Sequence, residues 1–212
     1  MYYLIKESLT PCSPDEIRST GGIQFAAVLT GEEWRAKRDS FDMVIDMEMD
    51  TAHPVDTKAV SAILMASVKD DVKITTIERD ETRYMECLKN VKKCELEDRI
   101  NVVYQDALEM NLSGVSYDLI FIDAAKGQYT KFFEKFKYFL KPGGVIISDN
   151  LKFHGHVGNR SKIASRNLKQ LVGKIENYID FLKDNDEFET KFYDVGDGLS
   201  VSIRKNDVQN IN

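Results

Sequence analysis

With 212 residues, the chain is sized for one domain carrying at most a short appendage. Hydrophobic residues make up 42% and charged residues 30%, the balance of a soluble globular protein with material for a real core. No run of 18 apolar residues occurs, and the opening MYYLIKESLT lacks a basic then apolar leader, so membrane spanning and secretion by signal peptide are not expected. The three cysteines, Cys12, Cys87 and Cys94, form no metal-type or redox-type pair and suit free thiols in a cytoplasmic protein. The net charge of −6 is unevenly spread: residues 1–60 hold 6 Lys/Arg against 11 Asp/Glu, and the remainder holds 23 against 24. The body beyond residue 60 is therefore nearly neutral and can carry a local basic patch.

In chain order, Gln24–Leu29 and Met43–Met49 read as strands, with a short helix possible in TGEEWRAKRDSF between them. Lys58–Val68 reads as a helix, free of breakers, and Lys73–Glu78 as a short β-branched strand. Asp80–Cys94 places Tyr84, Leu88 and Val91 at helical spacing among charges, the pattern of an amphipathic helix. Asn101–Tyr104 is a short strand, and Leu119–Asp123 is apolar until its last carboxylate, as a buried parallel strand should be. Tyr129–Leu140 repeats Phe132, Phe133, Phe136 and Leu140 on one helical face, with Pro142-Gly143-Gly144 as the expected stop. Val145–Asp149 is a second buried strand ending in a carboxylate. Arg160–Leu182 reads as one long helix with Leu168, Leu171, Val172, Ile175, Ile179 and Leu182 inward. ETKFYD and LSVSIR flank Val195-Gly196-Asp197-Gly198, a turn signal that makes the last two strands antiparallel.

This alternation predicts an α/β fold, a doubly wound, mostly parallel sheet closed by a C-terminal antiparallel hairpin. It divides the chain into an atypical acidic segment at 1–57, the α/β domain at 58–205 and a polar tail at 206–212. Ligands of such sheets collect beyond the carboxyl ends of the strands. Those ends carry Glu78, Asp106, Asp123 and Asp149-Asn150.

Asp123, Asp149 and Asn150 offer two carboxylates and an amide oxygen on neighbouring strand tips, hard donors that suit Mg²⁺ or Ca²⁺. Each aspartate alone could simply cap the next turn; their pairing favours a cation. Lys126 stands in the loop over that position and is placed to act as a general base on a substrate hydroxyl. Glu78 ends a strand where a carboxylate can accept both hydroxyls of a ribose, and Asp106-Ala107 follow the next strand where an adenine edge would be read. No G-x-G-x-x-G follows a strand, which argues against a nicotinamide oxidoreductase. His154 and His156 lack the further ligands a zinc site needs.

Taken together, ITTIERDE, DRINVVYQDALE, YDLIFIDAAKGQYTKFF, LKPGGVIISDN and VGDGLSVSIRK resemble the S-adenosylmethionine-dependent O-methyltransferases of the catechol and caffeoyl-CoA type. Among these, the small bacterial enzymes that methylate 5-hydroxyuridine at the tRNA wobble position are most similar. The resemblance covers about Ser61 to Lys205. It implies that Asp123, Asp149 and Asn150 hold Mg²⁺, that Glu78 binds the cofactor ribose, and that Asp106 and Ala107 lie against the adenine. It further implies that Asp123 faces the cofactor, that Ser61 contacts it, that Lys126 is catalytic, and that the protein is a homodimer. One departure stands out. The family's first strand leads into a turn of the form E-x-G-x-x-x-G, whereas this chain has no glycine between Gly31 and Gly114.

Leu151–Lys174 contains six Lys/Arg, two histidines and no acid. A polyanion docked on Lys152, Arg160, Lys162, Arg166 and Lys169 could present a base to the metal, which fits tRNA as the acceptor. A small catechol-like acceptor is the other expectation, and a domain without catalysis, kept for dimerisation or RNA binding, is a third.

Overall fold

The computed structural model describes residues 2–5, 9–12, 43–48, 59–66 and 71–205. Two short strands, β1 (Tyr2–Ile5) and β2 (Leu9–Cys12), pair antiparallel as a separate two-stranded sheet. The main sheet has seven strands in the order β5-β4-β3-β6-β7-β9-β8. These are β3 (Met43–Glu48), β4 (Lys73–Glu78), β5 (Ile100–Tyr104), β6 (Tyr117–Asp123), β7 (Leu140–Ser148), β8 (Phe188–Tyr193) and β9 (Leu199–Arg204). Strands β3 to β7 run parallel, and β9 joins β7 antiparallel and pairs with β8 as a hairpin. The predicted mixed sheet with an antiparallel edge is therefore the fold.

Strand β3 is the middle one of the five parallel strands, paired with β4 on one side and β6 on the other. The boundary placed at residue 58 thus falls between a central strand and the helix that follows it. The predicted strand Gln24–Leu29 and the helix after it lie outside the described residues, as does the tail at 206–212.

Side chains of β6 and β7 alternate between two buried layers, because successive strand residues point to opposite faces. Leu119, Phe121, Val145 and Ile147 pack with Ala62, Ile63 and Met65 of α1 (Val60–Ala66) and with Cys87 and Val91 of α2 (Glu81–Lys93). Ile120, Ile122 and Ile146 pack with Phe132, Phe133 and Phe136 of α3 (Tyr129–Phe136) and with Ile175, Tyr178 and Leu182 of α4 (Arg166–Lys183). Phe133 anchors the second layer, with ring centroids 4.9 Å from Phe188 and 5.4 Å from Phe181. A fully buried aromatic of this kind is worth roughly 1.5–3 kcal/mol in apolar area alone.

Helix α2 matches its sequence signals closely: the Asp80 carboxylate accepts from the Arg83 N–H, and the chain leaves the helix at Cys94. Two expectations are corrected. The helix expected over Tyr129–Leu140 ends at Phe136, a 3₁₀ turn covers Lys137–Phe139, and Leu140 already begins β7. Pro142-Gly143-Gly144 therefore lie inside a strand rather than ending a helix. Their reason is a bulge: Tyr117 pairs with Leu140 and Leu119 with Val145, so the intervening residues loop out of the ladder, with Gly143 at φ +70°. Similarly, the helix expected from Arg160 starts at Arg166, capped by the Ser165 hydroxyl at 3.3 Å from the Leu168 N–H. Arg160–Lys162 form only a 3₁₀ turn.

Candidate active site

In the parallel register, Glu48 of β3 lies opposite Asp123, and Ile122 lies opposite Ser148. The chain then brings Asp149 beside the end of β6, where its N–H donates to the Ile122 carbonyl at 3.1 Å. This is the point at which the strand order reverses: β5 and β4 lie on one side of β3, and β6 starts on the other. Open α/β sheets part at such a point and leave a crevice.

Asp123, Lys126 and Asp149 come together there. The Lys126 ammonium donates to Asp123 Oδ1 at 2.8 Å, with both side chains mostly buried, and lies 5.6 Å from the Tyr129 ring centroid. Asp149 is 8% exposed, and its carboxyl is pushed up to about 7, first by burial and then by the Asp123 charge. The Asn150 N–H, which donates to Asp149 Oδ1 at 2.6 Å, and the Lys126 charge act in the opposite direction. Asn150 itself has φ +60°, a left-handed conformation that asparagine tolerates better than most residues.

The layer beneath holds this loop in place. The Tyr129 hydroxyl donates to the Asp149 carbonyl at 2.8 Å, and the fully buried Tyr178 hydroxyl lies 2.6 Å from Ser148 Oγ. On the other side, the β8–β9 turn stitches the loop down: the Leu151 and Lys152 N–H groups donate to the Gly198 and Asp197 carbonyls at 2.8 and 2.7 Å. Gly198 has φ +78°, and a Cβ there would meet Lys152 Cγ at 2.7 Å, so this close approach requires glycine. Asp197 Oδ1 accepts from the His154 N–H at 2.6 Å, while its buried Oδ2 has no hydrogen-bond partner among the described residues. The Asp197 charge also raises the Asp149 carboxyl. Asp197, Tyr129 and Tyr178 are the parts that sequence reasoning missed. Tyr178 sits on the inward stripe of α4, but its hydroxyl disguised it, and Asp197 was read only as a turn residue.

The second half of the site lies across β3. Glu78 is 3% exposed at the end of β4, with Oε1 accepting from the Asp80 N–H at 2.8 Å and Oε2 3.4 Å from Arg83 Nε. Asp106 follows β5; its Oδ1 accepts from the Leu108 N–H at 2.8 Å and its Oδ2 lies 3.2 Å from Arg79. Ala107 beside it is buried. Ser61 is half-buried in the first turn of α1. Just before it, Ala59 is fully buried with φ +65°, the region that favours glycine.

The basic stretch after β7 is partly neutralised by acids from elsewhere in the chain. Lys152 pairs with Asp194 and Arg160 lies 3.6 Å from Glu176, whereas Lys162 only donates to the neutral Asn159 amide at 3.2 Å. Arg166 and Lys169 form no ion pair among the described residues. No group of three or more His, Cys, Asp or Glu is gathered to hold a metal among the described residues. Nor is any described helix long and apolar enough to cross a membrane.

The sequence model of the O-methyltransferase family matches residues 57–205. The tapetum-specific methyltransferase 1 of Arabidopsis thaliana is 28% identical over 143 residues, covering 65% of this chain and 61% of that protein. The chain thus matches about three-fifths of the length of that plant relative. A proposed caffeoyl-CoA O-methyltransferase from Staphylococcus aureus superposes with a TM-score of 0.74 at 28% identity, covering 92% of this chain and 86% of that one. An O-methyltransferase from Bacillus cereus, crystallised in complex with SAH, shares the fold at a TM-score of 0.68 and 19% identity, covering 92% and 83%.

Proposed function

We propose, from the premise that the chain belongs to the O-methyltransferase family, that it moves the methyl group of S-adenosylmethionine to a hydroxyl oxygen beyond β6 and β7. In this reading Mg²⁺ shares the site, the acceptor is 5-hydroxyuridine in tRNA, and the working form is a homodimer in the cytoplasm. The observation that carries it is the buried Asp123–Asp149 pair with Lys126 above it. Two carboxylates held together out of water cost free energy unless a cation shares them. The donor set of Asp123, Asp149 and the Asn150 amide oxygen fits Mg²⁺, which keeps water positions open for a substrate.

When bound, the cation supplies charge that lowers the pKa of an acceptor hydroxyl, and the cofactor supplies an electrophilic methyl. The chain's own residues do the rest. Glu78 accepts from the ribose hydroxyls, Asp106 and Ala107 border the adenine, and Ser61 and Asp123 border the methionine end. Asp123, Asp149 and Asn150 would hold the cation, and Lys126, beside Asp123, would accept the acceptor hydroxyl's proton as a neutral amine once its own proton has passed to solvent. Transfer forms one oxygen–carbon bond and breaks one sulfur–carbon bond, with positioning supplying much of the rate.

Arg166 and Lys169, left without acidic partners among the described residues, support an RNA acceptor. Ala59, strained where glycine would be at ease, favours a second reading: a methyltransferase-like domain whose cofactor turn is impaired. A small catechol-like acceptor is the third. The deciding assay is methyl transfer from labelled S-adenosylmethionine to hydroxyuridine-containing tRNA, with Mg²⁺ or with a chelator. Mg²⁺-dependent transfer is expected, reduced at least ~100-fold in kcat by Lys126→Ala. Arg166→Glu and Lys169→Glu should raise KM for tRNA and leave cofactor affinity unchanged. Cofactor binding without any transfer to tRNA would reject the RNA acceptor.

A further inference from the structure

We infer that the cleft between the start of α3 and the middle of α4 binds a phosphate group, and that this phosphate belongs to the molecule being methylated. The first half stands on the cleft itself, and the second rests on the methyltransferase reading. The cleft has a volume of about 470 Å³, and its lining includes Lys126, Gly127, Gln128, Lys131, Lys174 and Asn177. No acidic residue lines it among the described residues. Lys126 is neutralised by Asp123, but Lys131 and Lys174 form no ion pair among the described residues. Two lysines without an ion pair among the described residues therefore line one concave surface, and an anion seated there would be attracted to both.

Lys174 is exposed, and its side chain runs past the start of α3. A Cβ on Gly127 would lie 3.2 Å from Lys174 Cδ and 3.4 Å from its Nζ, so the lysine lies along the bare backbone of Gly127. Gly127 is the residue after Lys126, which puts the cationic cleft immediately beside the Asp123–Asp149 pair. The first turn of α3 adds no acid and no side-chain cap to oppose an anion. Lysine ammonium groups bind phosphate as point charges. The Gln128 and Asn177 amides can donate to its remaining oxygens or to an attached sugar, and the volume admits more than a bare ion. The phosphate could be a terminal monoester or a phosphodiester of a chain; the ligand chemistry is shared.

Calorimetric titrations of the full chain with inorganic phosphate, uridine 5′-monophosphate and a short oligouridylate test this, each beside an S-adenosylhomocysteine titration. Saturable binding of at least one phosphate ligand is expected, weakened about tenfold by Lys131→Glu and by Lys174→Glu, the scale of one charge-assisted hydrogen bond. Gly127→Ala should weaken it as well, by pushing Lys174 aside. Lys89→Glu on distant α2 should change nothing. Tighter binding of the monophosphate assigns a terminal phosphate, and tighter binding of the oligonucleotide assigns a phosphodiester. Binding of none of the three, or affinities unchanged in both lysine variants, overturns the proposal. Phosphate binding that depends on both lysines in a chain that ignores S-adenosylhomocysteine upholds the cleft and rejects the methyltransferase reading instead.

Discussion

Asp149 concentrates the electrostatics of the site in one carboxyl. Its folded-state pKa of about 7 stands above the ordinary 3.8, so the folded chain holds this proton over a range in which the unfolded chain has lost it. Stability from this group is full below about pH 4 and is lost as pH rises through about 7, amounting to a few kcal/mol at most. Asp149→Asn removes the titration while keeping an oxygen for the Asn150 N–H. The variant should therefore match the metal-free wild type in Tm near pH 4 and exceed it near pH 8, as thermal melts across that range would measure. Added Mg²⁺ should raise the wild-type Tm more at pH 8 than at pH 5 and should do little for the variant. Equal Tm differences at both pH values would mean that Asp123 and Asp149 do not share a cation. The strand-end position of these aspartates was readable in sequence because a buried strand that ends on a charge is locally conspicuous. Asp197 was not, since its approach to Asp149 depends on how the β8–β9 turn folds back over the loop.

Among the elements, those whose signals are local were legible. Lys73–Glu78 is observed as predicted, and α2 lies between the Asp80 cap and Cys94. Elements shaped by a neighbour were not: Pro142-Gly143-Gly144 resembles a helix stop, and only the register of β6 against β7 turns it into a bulge. The β3–α1 connection is the most consequential case. No glycine marks it in sequence, yet Ala59 takes a left-handed conformation at its end. A left-handed alanine costs roughly 1 kcal/mol that glycine avoids. Ala59→Gly should thus be neutral or stabilise by up to ~1 kcal/mol in urea unfolding. Ala62→Gly, in the interior of the same short helix, should cost ~1 kcal/mol or more. Equal losses in both would show that Ala59 is not strained.

Across the whole molecule, the division at residue 58 needs restating. The acidic segment at 1–57 supplies β3, the strand that joins β4 and β5, whose ends carry Glu78 and Asp106, to the acidic pair at β6 and β7. The sheet and both buried layers were foreseeable from strand–helix alternation, but the central place of Met43–Glu48 was not, because nothing within six residues specifies which strands flank it. The −6 of the chain says little about the acceptor, since charge near the site is set locally, by Asp123 and Asp149 on one side and by Lys131 and Lys174 on the other. Methyl transfer requires above all that a chain without the glycine turn still takes the cofactor between these halves. Calorimetric titration of the full chain with S-adenosylhomocysteine at millimolar Mg²⁺ measures this directly. Saturable one-to-one binding that Glu78→Ala weakens at least tenfold is expected; a chain that takes up no S-adenosylhomocysteine would contradict the methyltransferase reading.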